Sequence, residues 1–181
     1  MRWPITGHRK GAKTTVRCVD AAALITAALM RRNPDAEVLP FEESVVALQL
    51  SPGDTVMANA ERLASIGGGG TAVSAPLALL NARQAKGNLV VVVSDNESWV
   101  DNAGSRGTAT LREWNYFRAR NPQARLVLID LQPSGASQAA EREDILNVGG
   151  FSDQVFDLIS EFAAGHLQGS HLVGKIESVA L

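Results

Sequence analysis

The stretch NLVVVVSDNESW, residues 88–99, carries four consecutive valines directly into a polar segment that contains Asp95 and Glu97. A continuous apolar run without polar alternation is typical of a strand covered on both faces of a sheet. Ligands of open parallel sheets bind outside the carboxyl ends of the strands. The run therefore predicts a central strand over residues 88–94, with Asp95 at the binding edge. An aspartate after a buried strand is also a common turn or helix cap, so its position alone does not establish a site.

Apolar runs and helical segments alternate through the rest of the second half of the chain. A helix is predicted over residues 108–120, a second buried strand over residues 124–131 and a short edge strand over residues 145–150. Such alternation indicates a mostly parallel, doubly wound α/β sheet with helices on both faces. A chain of 181 residues is most simply one domain, so this fold is predicted to span residues 1–181.

The remaining elements follow from local signals. Residues 36–41 and 44–50 are short β-rich runs, which predict a hairpin. The last helix is predicted over residues 152–165, with Ser152 as cap and Gly165 as stop, while residues 171–181 fit either an edge strand or an extended arm. The other predicted helices cover residues 18–32, residues 55–66 with Asp54 as cap, and residues 75–86.

Composition narrows the function classes. The chain has 17 basic and 19 acidic residues and a net charge of −2, so as a whole it is not an electrostatic attractor for nucleic acid. Its one basic segment is residues 1–17, for which a mobile terminus is the simpler interpretation. If this segment binds phosphate, the contacts come from Arg2, Arg9, Lys10, Lys13 and Arg17.

The single cysteine, Cys18, excludes an internal disulfide and fits a reducing compartment. The three histidines lack the spacing of zinc ligands. No stretch reaches transmembrane length, and the start of the sequence lacks the order of a signal peptide. We therefore expect a cytoplasmic protein without a membrane partner.

A glycine-rich loop, GGGGTAVSAP at residues 67–76, offers a second candidate for chemistry. It follows a predicted helix rather than a strand and no lysine follows it, which disfavours dinucleotide and P-loop interpretations. Its turned backbone presents Thr71 or Ser74 at a fixed place. A hydroxyl here and the Asp95 carboxylate suit a hard divalent cation that keeps several waters. The alternative is a flexible linker in which Thr71 caps the next helix.

The combination of GGGGTAVS, VVVVSDNESW, RGTATLREWNYFRARNP, LVLIDLQP and NVGGFSDQVFDLI resembles the von Willebrand factor A domain at the carboxyl end of Ro ribonucleoprotein autoantigens, the TROVE-module family, especially its bacterial members. The similarity covers nearly the whole chain. It implies a Rossmann-like fold with a metal-ion-dependent adhesion site (MIDAS). By that match, Thr71 and Asp95 bind Mg²⁺ or Mn²⁺, whose open position takes an acidic group from a protein partner. Ser74, Glu97 and Ser98 are candidates to surround the ion without binding it directly.

One departure from the family concerns the first loop, whose Asp-x-Ser-x-Ser pattern occurs nowhere in this sequence. The resemblance then implies an amino-terminally truncated domain that lacks the first central strand and holds its ion weakly. The strands predicted at residues 36–41 and 88–94 must pair directly, leave a gap or accept a strand from another chain. A misassigned gene start, a split gene and a genuine stand-alone domain explain the departure, in that order of preference.

Together these inferences predict a non-catalytic binding module of a Ro-type RNA-binding protein. The helical-repeat ring through which the family holds small noncoding RNAs is absent from this sequence, so RNA is expected only through a larger assembly. One alternative is a metal-dependent hydrolase that uses Asp95 and Glu97, although no His, Cys or Lys stands in a partnering motif. Another is a fragment that has no function alone.

Overall fold

The apolar runs form a parallel sheet. The computed structural model describes residues 16–67, 70–95, 108–131, 142–150 and 152–167. Within these ranges the elements are, in chain order, α1 (Cys18–Arg32), α2 (Val56–Ala64), α3 (Ser74–Ala82), β1 (Leu89–Ser94), α4 (Thr108–Arg120), β2 (Arg125–Asp130), β3 (Ile145–Gly149) and α5 (Gln154–Ala163).

Strand β2 lies between β1 and β3, and both pairs are parallel. Ser94, the last residue of β1, lies opposite Asp130, which in turn lies opposite Gly149. The carboxyl ends of all three strands therefore meet at one edge of the sheet, as predicted from the alternation of strands and helices.

Helices cover both faces of this sheet. On one face Val92, Leu126 and Leu128 pack with residues of α3 and α4. On the other face Val127 and Ile129 pack with residues of α1 and α5. Strand side chains alternate between the two clusters because successive residues point to opposite faces. The predicted doubly wound α/β class is thus confirmed.

A third apolar cluster joins α1 to α2 away from the sheet. It consists of small side chains, with Ala23 and Ala27 of α1 against Ala60 and Leu63 of α2. Short side chains allow two helices to approach closely, and several partly buried residues from the preceding loop close the cluster at its margin: Val38, Leu48 and Leu50.

The predicted hairpin is the main correction. Within residues 36–50 only one antiparallel bridge forms, between Phe41 and Val45, with Glu42 N–H donating to the Ser44 carbonyl at 2.9 Å. The turn is therefore present, but neither predicted strand is. A two-stranded ribbon without a third strand is marginal in water, and here the apolar side chains pack on α1 and α2 instead.

Helix boundaries agree closely except at the caps and at the end of α3, which was predicted at residue 86 and lies at Ala82. Helices α1 and α4 begin and end at the predicted residues. Helix α2 is capped by Thr55, whose hydroxyl accepts from the Ala58 N–H at 3.1 Å, and not by Asp54. Asp54 instead pairs with Arg62 at 2.5 Å. Helix α5 has Asp153 at its N-cap without a side-chain bond, so the predicted cap at Ser152 is also wrong.

A buried polar cluster fixes α4 to the chain before β3. Asp144, only 5% exposed, accepts hydrogen bonds from the Trp114 indole at 2.7 Å and from Arg142 Nε at 2.9 Å. Arg118 approaches the same carboxylate at 3.1 Å. Unpaired buried polar groups are costly, and here the arginine charges neutralise the Asp144 carboxylate. The contacts therefore hold the two segments together.

Candidate functional site

The carboxyl end of β1 carries the first candidate residue. Ser94 is buried, and its carbonyl accepts from the Leu131 N–H at 2.9 Å, which holds the strand end against the continuation of β2. Asp95 follows immediately and is half-buried. The rigid sheet therefore fixes the Asp95 backbone at the edge where the sequence places it.

The glycine loop carries the second candidate residue, Thr71. The Ala72 N–H donates to the Glu42 carbonyl at 2.8 Å, so the turn at residues 41–45 anchors this loop. Helix α3 has Val73 as its N-cap and lacks a side-chain cap bond.

Thr71 and Asp95 line one cavity of about 1060 Å³. The cavity runs along β1 and is also bordered by α1, by Gly67 and Gly70 of the glycine loop, and by residues 35–42. Ser74 begins α3 and is not part of the cavity wall. Glu97 and Ser98 lie outside the described residues. The structure thus brings two of the predicted site residues to one space and leaves Ser74 aside.

The chemistry of these two donors fits a magnesium-type ion. A hydroxyl and a carboxylate are oxygen ligands, and Mg²⁺ is held by few protein groups while keeping several waters. Among the described residues, no group of three or more His, Cys, Asp or Glu side chains is placed to hold a metal ion. Of the predicted metal-site residues in the described part of the chain, Thr71 and Asp95 are the two that line the cavity.

Of the basic residues considered for phosphate, only Arg17 lies in the described part of the chain; Arg2, Arg9, Lys10 and Lys13 do not. Arg17 forks onto Asp20, with Nη2 2.5 Å from Oδ1 and Nε 3.0 Å from Oδ2. Their hydrogen bond lowers the pKa of Asp20 and raises that of Arg17. The guanidinium charge is therefore already matched by a neighbouring carboxylate.

The cavity lies between residues 35–42 and β1, which corresponds to the gap expected from the sequence as one of three possible outcomes. Every residue of β1 contributes to its wall, together with Leu29 of α1 and Phe41. The available signal was the run of four valines, which predicts an interior strand rather than an edge strand. The structure shows β1 at one end of the described strand order, so an interior-type strand lies beside open space.

The helices described here are too short or too polar to cross a membrane.

Comparison with known proteins gives matches to a family model, to a curated relative and to a solved structure. The family model described as "Ro60 vWA domain" matches residues 5–163. The "RNA-binding protein RO60" of Deinococcus radiodurans is 28% identical over 148 residues, which are 81% of this chain and 27% of the relative. The crystal structure of the Deinococcus radiodurans RO (RSR) protein matches with a TM-score of 0.68 and 24% identity, over 83% of this chain and 30% of that one.

The three kinds of match support different conclusions. The structural match supports the fold alone, because its sequence identity is low. The chain spans only 27% of the length of the curated relative. The family model, by contrast, covers most of the residues on which the sheet, the glycine loop and the carboxyl end of β1 depend.

Proposed function

The chain belongs to the Ro60 vWA domain family, and from that premise we propose that it is a non-catalytic binding module of a Ro-type RNA-binding protein. Its relative is named as an RNA-binding protein, and this chain matches about a quarter of that protein's length. RNA binding is therefore assigned to a larger assembly in which this domain takes part. The direct partner of the domain is a protein. The domain itself is located in the cytoplasm.

The docking point is a degenerate MIDAS at the carboxyl end of β1. The observation that supports it is the convergence of Thr71 and Asp95, from separate loops, on one cavity. We propose that these two residues bind Mg²⁺ or Mn²⁺, with Glu97, Ser98 and Ser74 around the ion. A carboxylate of the partner protein then takes an open coordination position, because hard divalent cations prefer oxygen ligands.

The ion is expected to bind weakly. Two protein oxygens leave most of the coordination shell to water, so the bound ion is little more stable than the hydrated ion. Dissociation constants on the order of 1 mM are typical of weak oxygen-ligand sites for divalent cations. Partner binding would then strengthen ion binding, since each ligand contributes to the same coordination shell.

The test is a titration of the full chain with Mn²⁺, in which binding is measured by the relaxation rate of water protons. Wild-type protein should bind with millimolar affinity, and Asp95→Asn should weaken binding at least tenfold because it removes the only charged ligand. Thr71→Val should weaken it less. Asp130→Asn is the matched control, since Asp130 ends the neighbouring strand but does not line the cavity.

Acetate serves as the probe for the partner's acidic group. Its addition to the Mn²⁺ complex should displace water and lower the relaxation enhancement of wild-type protein. Equal Mn²⁺ affinity in wild type and Asp95→Asn would refute the metal site, and retained enhancement with acetate would refute the docking role. Hydrolysis of a phosphoester substrate that is lost in Asp95→Asn would refute the non-catalytic assignment.

A further inference from the structure

The outer side of helix α4 combines arginines with an exposed aromatic ring. Arg112, Tyr116 and Arg120 follow one another at intervals of four residues, which places them on one side of the helix. The Arg112 side chain is 61% exposed and Tyr116 is 56% exposed. The other two aromatic rings of α4, Trp114 and Phe117, are buried in the core. Packing therefore accounts for those two rings but not for Tyr116.

Two further arginines lie at the margin of this side of α4. Arg142 donates from Nη1 to Asn115 Oδ1 at 2.7 Å and from Nε to the Asp144 carboxylate at 2.9 Å. Arg118 approaches the same carboxylate from Nη1 at 3.1 Å. Both arginines are half-buried, so each guanidinium group is fixed by a partner and still reaches solvent. We define the α4 face as these residues together: Arg112, Tyr116, Arg118, Arg120 and Arg142.

The α4 face carries more positive charge than its ion pairs balance. Its four guanidinium groups meet two carboxylates, Glu113 at 3.4 Å from Arg112 and the shared Asp144. Two positive charges remain, although the whole chain has a net charge of −2. Arg118 and Arg120 also stabilise the last turn of α4, where cations are favourable, but Arg112 and Arg142 lie elsewhere.

The arginines are held in place before any partner arrives. Arg120 donates from Nη1 to the Tyr116 carbonyl at 2.9 Å and from Nη2 to Asn81 Oδ1 at 2.5 Å. Ordered side chains lose little further entropy when they bind an anion. A guanidinium group has five N–H donors and matches phosphate oxygens in pairs, so donors remain for a ligand.

We propose that the α4 face binds a single strand of nucleic acid, with the arginines on its phosphates and Tyr116 stacked on a base. Positive charge alone would suit any acidic chain. An exposed ring with an arginine four residues away on each side instead gives a base a flat surface between phosphate contacts. Stacking requires an unpaired base, which selects a single strand over a duplex.

This site is separate from the one at Thr71 and Asp95. None of the five residues of the α4 face lines the cavity beside β1. The inference goes beyond the proposed function, in which RNA binding belongs to a larger assembly, because it gives this domain a nucleic-acid contact of its own. It does not depend on metal binding, so either proposal can fail without the other.

The test uses the full chain and two fluorescein-labelled probes, decauridylate RNA and decathymidylate DNA, in buffer with EDTA. We expect saturable binding in fluorescence anisotropy. Tyr116→Ala should weaken it at least fivefold, because a stacked base is lost, whereas Tyr116→Phe keeps the ring and should bind as wild type does. Tighter binding of the RNA would indicate contact with its 2′-hydroxyls, and equal affinities would assign binding to the bases and phosphates that both probes share.

The charge contribution is tested by salt dependence. Arg112→Gln should lower the slope of log affinity against log salt concentration by about 0.7, the value for one phosphate contact on a single strand. Arg62→Gln is the matched control, since it removes an exposed arginine of α2 outside the α4 face. Equal melting temperatures of the variants and the wild type show that these exposed substitutions leave the fold intact.

Three results would overturn the inference. The first is the absence of saturable binding of both probes, and the second is unchanged affinity in Tyr116→Ala. The third is equal weakening by Arg112→Gln and Arg62→Gln, which would indicate nonspecific attraction. A labelled decaaspartate peptide that binds more tightly than both nucleic acids would also contradict it, and would assign the α4 face to an acidic protein.

Discussion

At the scale of single residues, the Asp144 carboxylate joins three side chains from two segments of the chain. It accepts from Trp114 and Arg142 and pairs with Arg118 in a buried position. Trp114 also stacks on Phe117, with ring centroids 5.7 Å apart. The aromatic face of α4 thus meets an apolar cluster on one side and a charged group on the other, as amphipathic indole rings prefer.

Removal of the Asp144 charge should destabilise the domain strongly. Asp144→Asn keeps the shape but leaves two guanidinium groups without a buried counter-charge, so we expect the free energy of unfolding to fall by about 3 kcal/mol. Urea denaturation measures it. Asp54→Asn is the matched control, because its pair with Arg62 is exposed and such pairs contribute about 1 kcal/mol or less. Equal losses of unfolding free energy in the two variants would contradict a stabilising role for the buried Asp144 contacts.

The sequence predicts only part of this arrangement. Helical spacing with Leu111 and Phe117 places Trp114 in the core, and the structure confirms that it is fully buried. A buried indole N–H needs an acceptor. Which acceptor is used depends on the path of the chain between α4 and β3, and Asp144 lies 30 residues further along. Local patterns carry no information about such a long-range pair.

At the scale of elements, boundary residues decide which predictions succeed. Helix α1 stops at Arg32 because Asn33 caps it and Pro34 follows. The cap of α2 was misplaced by one residue, since Asp54 and Thr55 are both good caps and only the Arg62 contact distinguishes them. Strand pairing is less local still, so a hairpin predicted from composition alone did not form.

The end of α5 gives an element-scale prediction. Gly165 has a φ of +82°, and its N–H donates to the Phe162 carbonyl at 3.0 Å. A Cβ there would lie 3.1 Å from Nη2 of Arg125, whose guanidinium carbon lies 5.1 Å from the Phe162 ring centroid. Gly165→Ala should therefore lower the free energy of unfolding by about 1–2 kcal/mol, because left-handed backbone costs that much for an L-residue.

Thermal and urea unfolding of Gly165→Ala measure this cost. Gly53→Ala is the control, since Gly53 lacks a left-handed φ and its added Cβ would find Ser51 Oγ at an ordinary 3.5 Å. An unchanged Gly165→Ala, or an equal loss in Gly53→Ala, would show that backbone conformation at the end of α5 does not limit stability.

At the scale of the whole molecule, three apolar clusters divide the described residues into regions of different depth. Strand β2 contributes to both sheet-face clusters, and four of its central residues, Leu126 to Ile129, are buried. The cluster between α1 and α2 is built mostly of alanines and has a partly buried margin. Because stability follows buried apolar area, β2 is the centre of the fold and α2 its periphery.

Native-state hydrogen exchange should reveal that gradient. The amides of Leu126, Val127, Leu128 and Ile129 should be protected to the level of global unfolding, and those of α2 should exchange at least tenfold faster through local opening. Mild urea should change α2 exchange little, since local opening exposes little surface. Equal protection of β2 and α2 would instead indicate one cooperative unit.

The candidate site was predictable where it depends on strand ends, whereas the sequence left a gap beside residues 88–94 as one of three outcomes. Parallel connectivity brings Asp95 to the carboxyl edge, and the glycines bring Thr71 near it. Neither pattern describes the cavity, whose existence depends on which strand lies next to β1. Residues 36–41 show this: their composition predicts a strand, but in the structure they form one wall of the cavity instead.

The parallel order of the strands also determines how the chain must search for its fold. Leu89 meets Arg125, and Leu126 meets Ile145, only after the intervening chain has closed on itself. Loop closure costs entropy before the sheet repays it, so sheets of this connectivity form slowly. Helices α1 and α2 both precede the three described strands in the sequence, and so they are synthesised before them. The periphery of the finished domain is therefore available before its centre exists, and the ribosome releases the valines of β1 well before their partner strand.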